Sequence, residues 1–110
     1  MYLILFAAKQ EQPYFETRPV SVVASRDQPY TWNCVIRGVP QPTIEWYQNG
    51  NLVRNDANRL KLSSGSLHFV LVQEVHNGTY VCEGSNSIGK VSNSPVPFVV
   101  ACKFHTSSLT

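Results

Sequence analysis

Long hydrophobic runs are missing from this chain of 110 residues. No stretch reaches the roughly 18 apolar residues that a membrane-spanning helix needs, so the segment holds no helical membrane span. Charge is scarce too: 15% of residues are charged, nine basic and seven acidic, and they are scattered along the chain. Without a basic tract there is no signal for nucleic acid or for direct membrane contact by this segment. Apolar residues never recur at helical spacing over a useful length, which argues against a helical fold.

The usual signatures of chemistry are also lacking. There is no glycine-rich phosphate loop, no paired-carboxylate motif and no G-x-S-x-G. A nucleophile needs a base within reach and a third group to orient it. His68 falls on the outward side of its strand, His76 in a turn and His105 in the tail, so none is placed to serve. Close cysteine pairs such as C-x-x-C do not occur, and Cys102 with His105 would supply only two ligands where zinc wants four. Nothing near Cys102 would lower its thiol pKa. The expectation is a protein without catalysis, metal or cofactor.

What is present is a strand-rich chain of one domain, 43% hydrophobic. "PVSVVASR", "YTWNCVIRG", "TIEWYQNG", "RLKLS", "SLHFVLV", "TYVCEGSN" and "SPVPFVVA" are short, rich in β-branched and aromatic residues, and bounded by Gly, Pro, Asn or Ser. "GVPQPT" is a turn forced by Pro40 and Pro42, and "QNGN" around Asn49 and Gly50 is the strongest short turn signal. The fold class is all-β. Residues 1–12 read as a disordered or truncated N-terminal segment, 13–101 as the domain and 102–110 as a C-terminal tail. "MYLILFAA" looks like a clipped signal-peptide core but has no positive leader, and reads as a ragged end cut from a longer gene.

Alternation assigns the interior. One face carries Tyr30, Trp32, Cys34 and Ile36, and the others carry Ile44 and Trp46, Leu67, Phe69 and Leu71, and Tyr80 and Cys82. All can point into one space between two sheets. An odd cysteine count at wide spacing fits one structural disulfide with one thiol left over. A bond between Cys34 and Cys82 would close a loop of about fifty residues and remove roughly 4 kcal/mol of denatured-state freedom.

Cys34, "GVPQPTIEW" ending in Trp46, "SLHFVLVQEV", "HNGTYVC" with Tyr80 two places before Cys82, and "EGSNSIGKV" together resemble the immunoglobulin superfamily, intermediate set, across residues 13 to 101. The resemblance implies a two-sheet Greek-key sandwich, Trp46 packed on a Cys34–Cys82 bond, and the Tyr80 hydroxyl bonded back to the chain just upstream. It also implies binding through the outer face of one sheet, which here would present Glu45, Tyr47, Val81 and Glu83. The implied role is a non-catalytic protein-binding module of a larger extracellular or cell-surface adhesion or receptor protein, with other proteins or neighbouring immunoglobulin-like domains as partners. Alternatives are an intracellular structural spacer of the muscle-filament type, and an ectodomain module of a receptor kinase or matrix enzyme. In the cytosol the cysteines would stay reduced.

Two local features add to this. Asn77-Gly78-Thr79 is the one N-x-[ST] triplet in the chain, a candidate glycosylation site. His76 stands where the family usually has an aspartate that pairs with a cation, here Arg59 or Lys61; the other reading makes it a solvated loop residue. With a pKa near 6.5 it would be mostly neutral at pH 7. His76→Asp is then expected to raise thermal stability, chiefly near neutral pH.

Overall fold

The computed structural model describes residues 9–102. Eleven strands follow in order: β1 Glu11–Thr17, β2 Val22–Ser25, β3 Tyr30–Trp32, β4 Val35–Val39, β5 Thr43–Gln48, β6 Asn51–Leu52, β7 Arg59–Lys61, β8 Leu67–Phe69, β9 Gly78–Asn86, β10 Gly89–Ser92 and β11 Val96–Ala101. A single 3₁₀ turn, Glu74–His76, lies between β8 and β9. Residues 1–8 and 103–110, including "MYLILFAA" and His105, lie outside the described residues.

The strands form two facing layers. One is the six-stranded sheet β2-β11-β9-β5-β6, with β10 also paired to β9. The other is made of β3-β8-β7 and the β1-β4 pair, which the chain joins through Asn33 and Cys34. Strand β11 runs antiparallel to β9 and parallel to β2, with Val23 opposite Val99. Its place beside β2 ties the end of the domain to its beginning.

Two departures from the sequence reading have plain causes. Strand β1 begins at Glu11, within the segment read as disordered or truncated: its side chains alternate between sheltered and exposed, but the letters "EQPYFET" do not alternate between apolar and polar, and its pairing with β4 shifts register on both sides of Tyr14 and Phe15. Pro13 sits in the first irregular stretch, where a missing N–H is tolerated in an edge strand. Leu71 was expected inside but is exposed, and Val72 is buried instead. The chain leaves the extended form after Phe69: Val70 and Leu71 donate to the Asn58 carbonyl and side chain, so the two-residue alternation slips by one.

The core is aromatic. Trp32, Trp46, Phe69, Tyr80 and Phe98 are almost wholly buried, and Trp32 lies 5.3 Å from Trp46 and 5.1 Å from both Tyr80 and Phe98 between ring centroids. Each such ring contributes about 1.5–3 kcal/mol by leaving water. Both indole nitrogens are satisfied, Trp46 donating to Gly65 O at 2.7 Å and Trp32 to Val20 O at 2.9 Å. Cys34 is bonded to Cys82, linking the layers at their centre, and Trp46 stands directly opposite Cys82 on the neighbouring strand.

Candidate functional site

The outer face of the six-stranded sheet is built by three strands. Alternation along β5 turns Ile44 and Trp46 inward and leaves Glu45 and Tyr47 outward. On β9, Tyr80, Cys82 and Gly84 are buried and Val81 and Glu83 are not. The register then decides what meets what: Tyr47 is opposite Val81 on one side and Leu52 on the other, and Glu45 is opposite Glu83. The four residues singled out in the sequence therefore share one patch. Leu52, missed in the sequence because a two-residue strand has no readable alternation, extends it.

Electrostatics give the patch its character. Two carboxylates directly across a strand pair repel each other. Lys61 approaches Glu45 at 3.8 Å and Lys90 approaches Glu83 at 3.9 Å, which offsets part of that repulsion. The Tyr47 hydroxyl points at Glu83 Oε1 across 3.5 Å, and that carboxylate pushes the phenol's pKa up, keeping it a neutral hydrogen-bond donor. The arrangement offers an apolar row of Leu52, Tyr47 and Val81 beside an acidic pair. It suits recognition of a protein surface and contains no nucleophile with a base. Among the described residues, no group of three or more His, Cys, Asp or Glu could hold a metal ion.

On the inward side of the same strand, Tyr80 closes a small hydrogen-bond network. Tyr80 Oη donates to His76 O at 2.7 Å and accepts from Arg59 Nη1 at 2.9 Å. Burial pushes its pKa up to about 12, against the opposing pull of Arg59. Arg59 also donates to Gln48 Oε1 at 2.7 Å, while its buried Nε has no partner among the described residues.

His76 is not a solvated loop residue. It is 3% exposed, its ring packs edge-on against Phe69 at 4.9 Å, and its Nδ1 accepts the Gln73 backbone N–H at 2.9 Å. Burial, reinforced by the Arg59 charge, lowers its pKa, so it is held neutral. Arg59 is engaged by Gln48 and Tyr80 rather than by residue 76. His76→Asp would thus supply an acceptor near Arg59 but lose the packing on Phe69. The gain expected at neutral pH is opposed by that loss, and shifts to acid conditions where the imidazole would have to carry a proton.

Asn77 is half-buried, with its Oδ1 accepting Val100 N–H at 2.7 Å and its Nδ2 donating to Glu74 O at 3.2 Å. Gly78 beside it has φ +150°, and a Cβ there would meet Asn49 Oδ1 at 2.8 Å. Asn49 is occupied in receiving Thr79 N–H at 3.0 Å. Asn93, which the sequence gave no reason to single out, is buried and spans the gap between β10 and β11: it accepts Cys82 N–H at 2.7 Å and donates to Ser94 O at 2.7 Å. Cys102 is a free, exposed thiol.

The model of the Immunoglobulin I-set domain family matches residues 13–95. The chain belongs to the immunoglobulin I-set family. This I-set chain is 34% identical over 99 residues to human Roundabout homolog 2, covering 81% of this chain and 7% of that protein. It is 32% identical over 93 residues to the Caenorhabditis elegans muscle M-line assembly protein unc-89, covering 81% of this chain and 1% of that protein. Among solved structures, Sidekick-1 immunoglobulin domains 1–4 align with TM-score 0.77 and 27% identity, over 84% of this chain and 25% of that one. The I-set chain thus spans a small fraction of the length of the relatives it matches, and what those whole proteins do is not transferred by the match.

Proposed function

We propose that this chain is a non-catalytic recognition module of a larger extracellular or cell-surface protein, and that it binds another protein or a neighbouring immunoglobulin-like domain through Glu45, Tyr47, Val81 and Glu83. The observation that carries the reading is their convergence on one outer sheet face, where Tyr47 and Val81 lie opposite each other beside the Glu45–Glu83 pair. A rigid aromatic flanked by apolar area and hydrogen-bonding groups is the composition that concentrates binding energy at protein interfaces. The Cys34–Cys82 bond supports an oxidising compartment. Asn77 is proposed as a glycan acceptor: an attached sugar leaves Nδ2 one N–H for Glu74 O and leaves Oδ1 free to hold Val100. The same reading covers an ectodomain module of a receptor kinase or matrix enzyme.

Tyr47→Ala is expected to weaken homotypic or heterotypic binding of the module at least tenfold while leaving its thermal midpoint nearly unchanged; unchanged binding would remove this face from the assignment. A second reading, an intracellular structural spacer, is favoured by the likeness to a muscle M-line assembly protein. Intact mass and peptide mapping of the secreted chain, before and after reduction, separate the two settings. A bonded Cys34–Cys82 with sugar on Asn77 supports the extracellular one, whereas a folded chain with free thiols and bare Asn77 supports the spacer.

A further inference from the structure

The turn Gln73–Asn77 carries more contacts than its length suggests. Its carbonyl at His76 anchors the Tyr80 hydroxyl, its carbonyls at Val75 and Asn77 each receive Gln48 Nε2 at 2.9 Å, and the Asn77 side chain receives Val100 N–H. On its outer side Gln73 donates to Asp27 at 3.1 Å and Glu74 meets Arg26 at 3.5 Å. Strands β5, β9 and β11 and the turn after β2 are therefore tied together at one pole by this segment.

The segment is held by its own backbone bonds, His76 N–H to Gln73 O at 2.9 Å and Asn77 N–H to Glu74 O at 3.1 Å, and the His76 ring closes it from the side. A backbone N–H can only donate, so the 2.9 Å contact from Gln73 requires His76 Nδ1 to be without a proton. Protonating Nδ1 would set two N–H groups against each other and bury a cation beside Phe69. The charged and titratable groups facing the ring are Arg59 at the start of β7, Asp56 in the loop before it, and Tyr80 of β9. Arg59 opposes a second positive charge and Asp56 favours one, but the Asp56 carboxylate already accepts the N–H groups of Asn58 and Arg59 at 2.8 Å each. Arg26, Glu74 and Asp27 complete the charges at this pole.

We propose that His76 is an acid-operated latch: proton uptake breaks the Gln73–His76 contact, expels the ring from Phe69, and frees Tyr80, Gln48 and Val100 from the Gln73–Asn77 turn. At neutral pH the latch is shut, because burial and Arg59 both favour the uncharged ring. In mildly acidic surroundings the pole loosens while the disulfide keeps the sandwich centre closed.

Amide hydrogen exchange on the full chain tests this, read at Gln73 and Val100 against Cys82 and corrected for intrinsic pH dependence. Between pH 7.5 and about 5, protection at Gln73 and Val100 is expected to fall at least tenfold relative to Cys82. A constant ratio would overturn the latch. His76→Gln keeps an acceptor that does not titrate and should abolish the drop; His68→Gln, altering a half-buried imidazole paired with Thr31 away from this pole, should leave it intact. Should His76→Gln fold poorly, the wild-type ring resonances decide. Their titration midpoint should fall below the ordinary 6.5, while protection should begin to fall as pH passes 6.5; a midpoint at or above 6.5 overturns the proposal.

Discussion

At the scale of single residues, Gly84 and Ile36 fit tightly against each other. A Cβ on Gly84 would lie 2.8 Å from both Ile36 Cδ1 and Cγ2, and Ile36 is itself buried between the layers. Gly84→Ala is therefore expected to cost about 1–3 kcal/mol by overpacking, read as a lower denaturant midpoint with an unchanged slope. Adding Ile36→Val, which trims that contact, should recover part of the loss. Neither effect is legible in the sequence, where "CEGSN" gives the glycine no partner and only the packing of the two layers brings Ile36 of β4 to it. Trp46, Tyr80 and the paired cysteines were legible, because each repeats an alternation that the chain carries in strong apolar letters. His76 was not: one polar residue in a turn reads either as a partner position for Arg59 or Lys61 or as solvated until the strands around it are placed.

At the scale of elements, turns with a backbone demand were readable and strands without alternation were not. "QNGN" forms the β5–β6 hairpin as expected, with Asn49 at φ 51° and Gly50 at φ 84°. No atom lies within 4 Å of a Cβ built on Gly50, so Gly50→Ala isolates the backbone cost of a left-handed conformation, about 1–2 kcal/mol. Thermal melting of that variant should show this modest loss with binding unaffected, in contrast to the packing loss at Gly84. "YTWNCVIRG", read as one strand, is divided into β3 and β4 at Asn33 and Cys34. Ser66 takes up the freed Cys34 N–H at 3.3 Å, and Asn93 does the same for Cys82. Both disulfide residues thus have backbone N–H groups held by side chains from other segments. Such repairs follow from long-range proximity and leave no local signature.

The whole molecule has a pH window set by two buried groups. His76 titrates below its ordinary 6.5 when folded, so as pH falls through 6.5 the unfolded chain binds the proton first and stability declines. Tyr80 runs the other way: its ordinary value is 10.0, raised to about 12 by burial, so the unfolded chain ionises first above pH 10 and stability declines there too. Asp56, held low chiefly by the Asn58 N–H and also by that of Arg59, adds a further acid loss below its ordinary 3.8. The thermal midpoint should be level between about pH 6.5 and 10 and fall on either side. A midpoint still rising as pH drops from 6.5 to 5 would contradict the placement of His76.

The bond between Cys34 and Cys82 also fixes how far the molecule can lengthen under tension. Pulled from its two ends, the chain loads β1 against β4 and then β2 against β11, parallel neighbours drawn in opposite directions, so the hydrogen bonds of the second pair are strained together in shear. Once they part, the chain between the bonded cysteines, separated by 48 positions, stays looped and contributes no reach; reduction would release roughly 160 Å of it. The redox state of one bond therefore decides whether a tethered copy behaves as a short, stiff spacer or as a long extensible one.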